Sequence, residues 1–328
     1  MNSPLHEGMN VFVSFLKRWT LLCALLFGVF FYLLFAEVPA LRPFGTAVGP
    51  VLQGSLPYVI FLLLYVTFCK IDARDLRPRK WHFWLQAIRV AMSALLVWTI
   101  CSCGDNSLRL VLEGVFICVI CPTASAAPVI TEKLGGSIAS LTIYTIMANG
   151  VTAIIIPLFF PMVEKAADIS FLTAFLMVLR RILLVLVVPL ILALLTKRFL
   201  PRVAQRVKSW RDLGFYLWCF NLAVVSGLTM HNILLTPVAG WVLWMLLLLP
   251  LFVCLLQFTI GKAVGRHYGD SISAGQALGQ KNTVVGIWLT VTYLNPLAAV
   301  APGAYVLWQN LVNAWQLWYK QKHGKLPF

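Results

Sequence analysis

Charge is scarce in this chain, and negative charge is scarcest of all. Asp, Glu, Lys and Arg make up 11% of its 328 residues, and only 11 residues are acidic. An ordinary soluble domain is about a quarter charged and about half apolar, whereas 60% of this chain is hydrophobic. The surplus apolar side chains must face lipid. At about 20 residues per helical span, ten spans use about 200 residues and leave short connections. A sizeable soluble domain is therefore excluded. The same runs disfavour a transmembrane barrel, whose strands alternate apolar and polar residues instead of running apolar for twenty.

The missing groups also narrow the chemistry. Nearly all the acids fall in loops or at span ends. Glu113 alone falls within a span, and Arg109 stands four residues before it on the same helix face. No intramembrane carboxylate pair exists for proteolysis. Gly261-Lys262 is followed by Ala263 and has no upstream phosphate-loop glycine, which excludes ATP-driven pumping by this chain alone. Among the eight cysteines only Cys118 and Cys121 have CxxC spacing, and they lie in an apolar run as buried thiols. The five histidines are scattered, mostly at span ends, so no metal site is read from them. Without a carboxylate pair, a metal cluster or a nucleophile beside a base, the chain is read as a non-enzyme with no catalytic residue.

What is present is a series of apolar runs. Spans are expected over residues 19–36, 51–69, 83–101, 108–130, 138–163, 171–196, 213–235, 238–264, 271–292 and 297–318. The sixth is interrupted by Arg180 and Arg181. The first is read as a retained span, because eighteen apolar residues exceed the roughly 7–15 of a signal peptide.

The basic residues mark the loops. With the N-terminus in the cytoplasm, 19 Lys and Arg fall on the cytoplasmic side and five outside: Arg42, Arg109, Lys165, Arg180 and Arg181. Arg89 and Lys281 fall within spans. That asymmetry puts both termini inside, in the cytoplasmic (inner) membrane. The +15 net charge is then a topology signal and a set of lipid-headgroup contacts, and no nucleic-acid partner is expected.

Two segments interrupt the apolar monotony. In span four, Pro122 and Pro128 bracket Thr123, Ala124 and Ser125, and each proline removes a backbone donor. In span nine, Gly275, Gln276, Gly279, Gln280, Lys281, Asn282 and Thr283 form the most polar run within any span. Such groups are costly against lipid and should face protein or water. Four and nine are the fourth spans of two groups of five. Five is odd, so the second group, 169–328, enters the membrane inverted relative to the first, 1–168. Interrupted helices at matching places in inverted halves point to a transporter's binding site. The alternative is two independent kinks in a bundle.

Small polar residues continue along span five. Asn149 there has two readings, capping a carbonyl freed in span four or pairing with a neighbouring helix. Gly261, Gly265 and Gly269 are spaced as a close helix-packing face.

At these residues the sequence resembles the bile acid:sodium symporter family. The likeness is carried by Cys121-Pro122 through Thr131 with Leu134-Gly135-Gly136, by Tyr65-Val66-Thr67-Phe68 with Asp72-Ala73-Arg74-Asp75-Leu76, and by the Gln280–Thr283 segment. It covers essentially the whole chain. The resemblance implies an all-α membrane fold of ten spans in two inverted repeats, with spans four and nine crossing at their breaks. It implies a core of spans three, four, five, eight, nine and ten moving against a panel of one, two, six and seven. It also implies sodium-coupled uptake of an organic anion, a bile acid or a smaller carboxylate.

The sequence departs from that pattern where sodium ligands are expected. Ala127 and Pro128 stand where the family places Ser-Asn, and Gln276 stands where it places Glu. Gln86, Gln276 and Gln280 are the remnant of such a site. Lys281 is then expected to supply the charge that sodium supplies in the relatives, held by freed carbonyls. Its other reading is a lysine that snorkels to the cytoplasmic surface.

The resulting expectation is a secondary transporter of an organic anion working by alternating access. Thr123, Ser125, Asn149, Gln276, Gln280, Lys281, Asn282 and Thr283 line its site, and Pro122, Pro128, Gly275 and Gly279 break the helices. The partners are a small organic anion and membrane lipid. There is no cofactor beyond sodium or protons as coupling ion. A proton-coupled carrier or facilitator, and a membrane sensor that binds without transport, are the alternatives.

Overall fold

Long apolar runs with charge held to their ends form helices, and in the computed structural model the regular structure of the described residues is helical apart from one isolated β-bridge. The structure describes residues 19–71, 73–164, 187–210, 212–234 and 239–326, with 172, 176, 180 and 184. The helices are α1 (Thr20–Glu37), α2 (Arg42–Phe68), α3 (Lys80–Ser102), α4 (Asn106–Ile120), α5 (Ala127–Leu134), α6 (Ile138–Val163) and α7 (Val188–Phe199). They continue as α8 (Pro201–Ser209), α9 (Leu213–Leu234), α10 (Gly240–His267), α11 (Ser271–Gly279), α12 (Thr283–Tyr293) and α13 (Val300–His323). Among the described residues six helices are long and apolar enough to cross a membrane: α1, α2 with its preceding 3₁₀ turn, α3, α6, α9 and α10.

The fourth and ninth apolar runs each split into two short helices, α4 with α5 and α11 with α12. The split in the fourth is set by Pro122, which has no N–H to give, and by the non-helical backbone from Cys121 to Ala126. Pro128 does not break a helix as expected. It stands in the first turn of α5, where the missing N–H has no intrahelical partner to lose. Gly135, at φ +89°, ends α5 in the left-handed conformation that glycine tolerates best.

The break in the ninth run lies at the far end of the expected polar segment, and not at its glycines. Gly275 and Gly279 are helical residues of α11, and the chain leaves the helix only at Gln280–Asn282. These glycines serve packing. A Cβ on Gly279 would lie 2.4 Å from the Phe258 ring, and one on Gly275 would lie 2.7 Å from Lys262 Cγ. Gly261 and Gly265 do form the expected close face, since a Cβ on Gly261 would meet the Ala274 carbonyl oxygen at 2.5 Å. Gly269 is not part of it; with φ +70° it turns the chain from α10 into α11.

Other boundaries follow the hydropathy closely, except that α2 begins at Arg42, nine residues before the expected 51. The expected start of span six and the 168/169 junction lie outside the described residues.

The buried apolar side chains form separate clusters. One joins α1, α2, α7 and α9 to α5 and one face of α13. The others tie α3, α4 and α6 to α10, α11, α12 and α13. The first set is bound by close backbone contact as well: a Cβ on Gly28 of α1 would lie 1.9 Å from the Ala223 oxygen of α9. The two interrupted helices lie mainly in the second set, with α5 packed against both, and a cavity lies between the breaks and helices α2 and α9.

Candidate functional site

The two breaks meet. Thr123 and Lys281 form an antiparallel β-bridge, with Asn282 N–H donating to the Pro122 oxygen at 2.8 Å and Ala124 N–H to the Gln280 oxygen at 3.3 Å. Backbone groups released by each break are thus satisfied by the other, as groups buried away from water require. The side chains repeat the exchange. Thr123 Oγ1 donates to the oxygen of Ala277, four residues before Lys281, at 2.7 Å. Lys281 Nζ donates to the oxygen of Val119, four residues before Thr123, at 3.1 Å. Gln309 of α13 holds the backbone of Lys281 on both sides, accepting from its N–H at 2.8 Å and donating to its oxygen at 3.3 Å. Asn282 caps α12 by accepting from Val285 N–H.

Lys281 is 1% exposed, so of its two readings the snorkelling lysine is corrected: its ammonium is held at the end of α4. A second cation lies there that the sequence reading passed over. Arg89 of α3, also 1% exposed, donates to the Ile120 oxygen and Thr152 Oγ1 at 2.7 Å each, to the Ala148 oxygen at 3.0 Å and twice to Gln86 Oε1. Its partners are carbonyl, amide and hydroxyl oxygens. The one signal that marked it was a lone arginine deep in an apolar run, which is a functional candidate by default. Among the described residues the buried acidic side chain is Glu113, paired with Arg109 at 3.3 Å as expected. It stands about 10 Å up the α4 axis from Ile120.

Beside the bridge is a cavity of about 340 Å³. Pro122, Ala124 and Ser125 line it from the first break, and Gln280, Lys281, Asn282 and Thr283 from the second. Asn149 reaches it from α6, and α2 and α9 close it from the opposite side with Leu56, Ile60, Trp218 and Asn221. Of the expected lining residues, Thr123 and Gln276 are not at its wall. Thr123 is turned onto Ala277, and Gln276 bonds Gln316 while accepting from Gln280. Asn149 caps nothing in span four, since its amide donates to Thr145 of its own helix at 2.7 Å. Gln86 is likewise apart from the other glutamines, its oxygen taken by Arg89. Asn221 and Asn310 were not expected at the wall; each carries a buried oxygen with no hydrogen-bond partner.

On the side where the loops are basic, two ion pairs join the helix groups. Lys70, after α2, pairs with Glu132 of α5 at 2.9 Å, and Lys133 of α5 pairs with Asp212 before α9. Gly214 of α9 lies against Thr67 of α2 beneath them, with space for a Cβ only 3.3 Å from Thr67 Oγ1.

Paired interrupted helices in a membrane bundle, with a cavity at their meeting point, are the build of a secondary transporter. A profile of the SBF-like CPA transporter family matches residues 24–312, and the chain belongs to that family. It is a multi-pass membrane transporter, and the resemblance to bile acid:sodium symporters read from its motifs is borne out. A curated relative, the uncharacterized sodium-dependent transporter YocS of Bacillus subtilis (strain 168), is 26% identical over 217 residues. That match covers 65% of this chain and 65% of the relative's length.

Proposed function

We propose that this chain moves an organic anion across the cytoplasmic membrane by alternating access at the crossing of its two breaks. The observation that carries the reading is a cavity shared by both breaks, beside two buried cations and remote from any buried acid. In a low-dielectric interior an unopposed positive pair favours a negative ligand. The largely apolar walls from α2 and α9 suit the apolar body of such an anion, with Lys281 at its charged end.

The ten spans form two inverted halves, 1–168 and 169–328. The reciprocal bonds of Thr123 and Lys281 support this, each side chain reaching the carbonyl four residues before the other. The helices packed through the second group of clusters act as the core and α1, α2, α7 and α9 as the panel. Both termini lie in the cytoplasm. The Lys70–Glu132 and Lys133–Asp212 pairs join panel to core on that side and keep the cavity from opening there.

Purified protein in liposomes tests the reading. Uptake is measured for a labelled bile acid, labelled short carboxylates, a labelled organic cation and a neutral sugar. Uptake of at least one anion above protein-free liposomes, inhibited by unlabelled anion, is expected. Binding without uptake identifies a sensor, and uptake of the cation or sugar alone overturns the anion reading.

A further inference from the structure

The last four carbonyls of a helix have no partner inside it. At the end of α4 all four are taken. Ile117 accepts from the Cys121 N–H at 3.1 Å and Cys118 from Gln257 Nε2 at 3.2 Å. Val119 accepts from Lys281 Nζ at 3.1 Å and Ile120 from Arg89 Nη1 at 2.7 Å. Two of the four donors are therefore cations, placed where aligned peptide dipoles leave partial negative charge. The carbonyl end of a broken helix is where a transporter of this build presents oxygens to a coupling cation.

Two of the three glutamines of the expected sodium remnant have their oxygens committed as well. Gln86 gives its oxygen to the guanidinium, and Gln276 gives its oxygen to the Gln280 amide. Ala127 and Pro128 have no side-chain oxygen, and Thr123 Oγ1 points at Ala277. Charge-assisted and amide donors already hold these oxygens, so the expected remnant, as it is bonded here, does not fit a mobile sodium ion.

We propose that the chain carries its crossing cations covalently. Arg89 and Lys281 fill the positions at the end of α4 that a mobile monovalent cation would take, and the protein binds no sodium there. The two differ in kind. Arg89 is fixed from three helices through five hydrogen bonds and lies outside the cavity wall. Lys281 is on the wall, at the end of a flexible stem, and is the cation an anionic substrate reaches. The inference rests on the crossing being the transport site, and it runs against the expectation raised by the relative's name.

The test uses ²²Na⁺ binding to purified protein, with thermal midpoints in sodium chloride and in choline chloride at equal ionic strength. Wild type is expected to show no saturable ²²Na⁺ binding and the same midpoint in both salts. Lys281→Gln frees the Val119 oxygen and adds an amide oxygen. It is expected to gain saturable ²²Na⁺ binding and a midpoint about 5 °C higher in sodium at a hundredfold excess over Kd. Lys281→Arg keeps a cation and is expected to behave as wild type.

Saturable ²²Na⁺ binding by wild type overturns the proposal, whether or not Lys281→Gln changes it. So does a folded Lys281→Gln protein that remains indifferent to sodium, because the lysine then occupies no ion position. Neither measurement uses an organic substrate, so a failed result here is separate from a failure of the anion-transport reading.

Discussion

Arg89 shows how much one residue holds at the crossing. Its guanidinium is planar, with five donors in a rigid fork, and it joins the α3 amide of Gln86 to the end of α4 and to two groups of α6. Removing it orphans buried oxygens, at about 1–3 kcal/mol for each group left unpaired. Arg89→Ala is therefore expected to lower the thermal unfolding midpoint far more than Arg180→Ala, whose side chain is exposed. Arg89→Lys should fall between, since one ammonium cannot reach all four acceptors. Equal midpoints for Arg89→Ala and Arg180→Ala would show that the fork is not what seats α4. At this scale the sequence disclosed Lys281, which sits in a visibly polar run, but not Arg89, whose neighbours are apolar and whose partners are backbone oxygens from other helices. No spacing rule in a single sequence records those partners.

Among the elements, the pair α10 and α11 depends on the absence of side chains. A Cβ on Gly261 meets a backbone oxygen, which cannot step aside as a flexible side chain can. Gly261→Val should therefore destabilise by about 1–3 kcal/mol or more through overpacking. Gly49→Ala in α2, where nothing lies within 4 Å of the new Cβ, should be neutral or raise stability by roughly 0.5–1 kcal/mol. Thermal unfolding of the two variants in one detergent measures the contrast, and a Gly261→Val protein as stable as wild type would contradict the packing.

Helix positions were legible because lipid demands long apolar runs, and the expected 138–163 coincides with α6. Helix ends and breaks were less so. Pro128 starts a helix because proline fits a first turn, and Gly275 and Gly279 stay helical because their lack of a Cβ lets Lys262 and Phe258 approach. Glycine in a sequence does not say whether its freedom or its smallness is being used. The extension of α2 back to Arg42 was hidden by Pro43, Gly45, Gly49 and Pro50, which read as loop.

For the whole molecule, the ion pairs between α5 and the first helix group are expected to bias which way the cavity opens. Lys70 and Glu132 are largely or partly shielded, with side-chain exposures of 10% and 34%. At that exposure a pair contributes about 0.2–1 kcal/mol, a shift of about 1.5- to 5-fold between two conformations. Glu132→Gln is expected to favour the state open to the cytoplasm. A cysteine placed at Ser125, on the cavity wall, in a cysteine-free background reports this. Its labelling by an impermeant reagent from the cytoplasmic face should rise a few-fold with Glu132→Gln. Labelling that rises only from the outer face would reverse the orientation deduced from the basic loops.

The meeting of the two breaks also orders events in time. Pro122, Ala124, Cys118 and Val119 find their partners in Asn282, Gln280, Gln257 and Lys281, all from the second half of the chain. A ribosome adding about 5–20 residues per second reaches Asn282 about 10–30 s after it has made Pro122. Through that interval the nascent first half holds its interrupted helix with carbonyls and amides unmatched, and Arg89 is the cation it can offer them from its own sequence. The newborn membrane protein therefore either keeps this segment near water and the insertion machinery or waits in a looser bundle. Its native crossing closes only when the second half arrives to complete it.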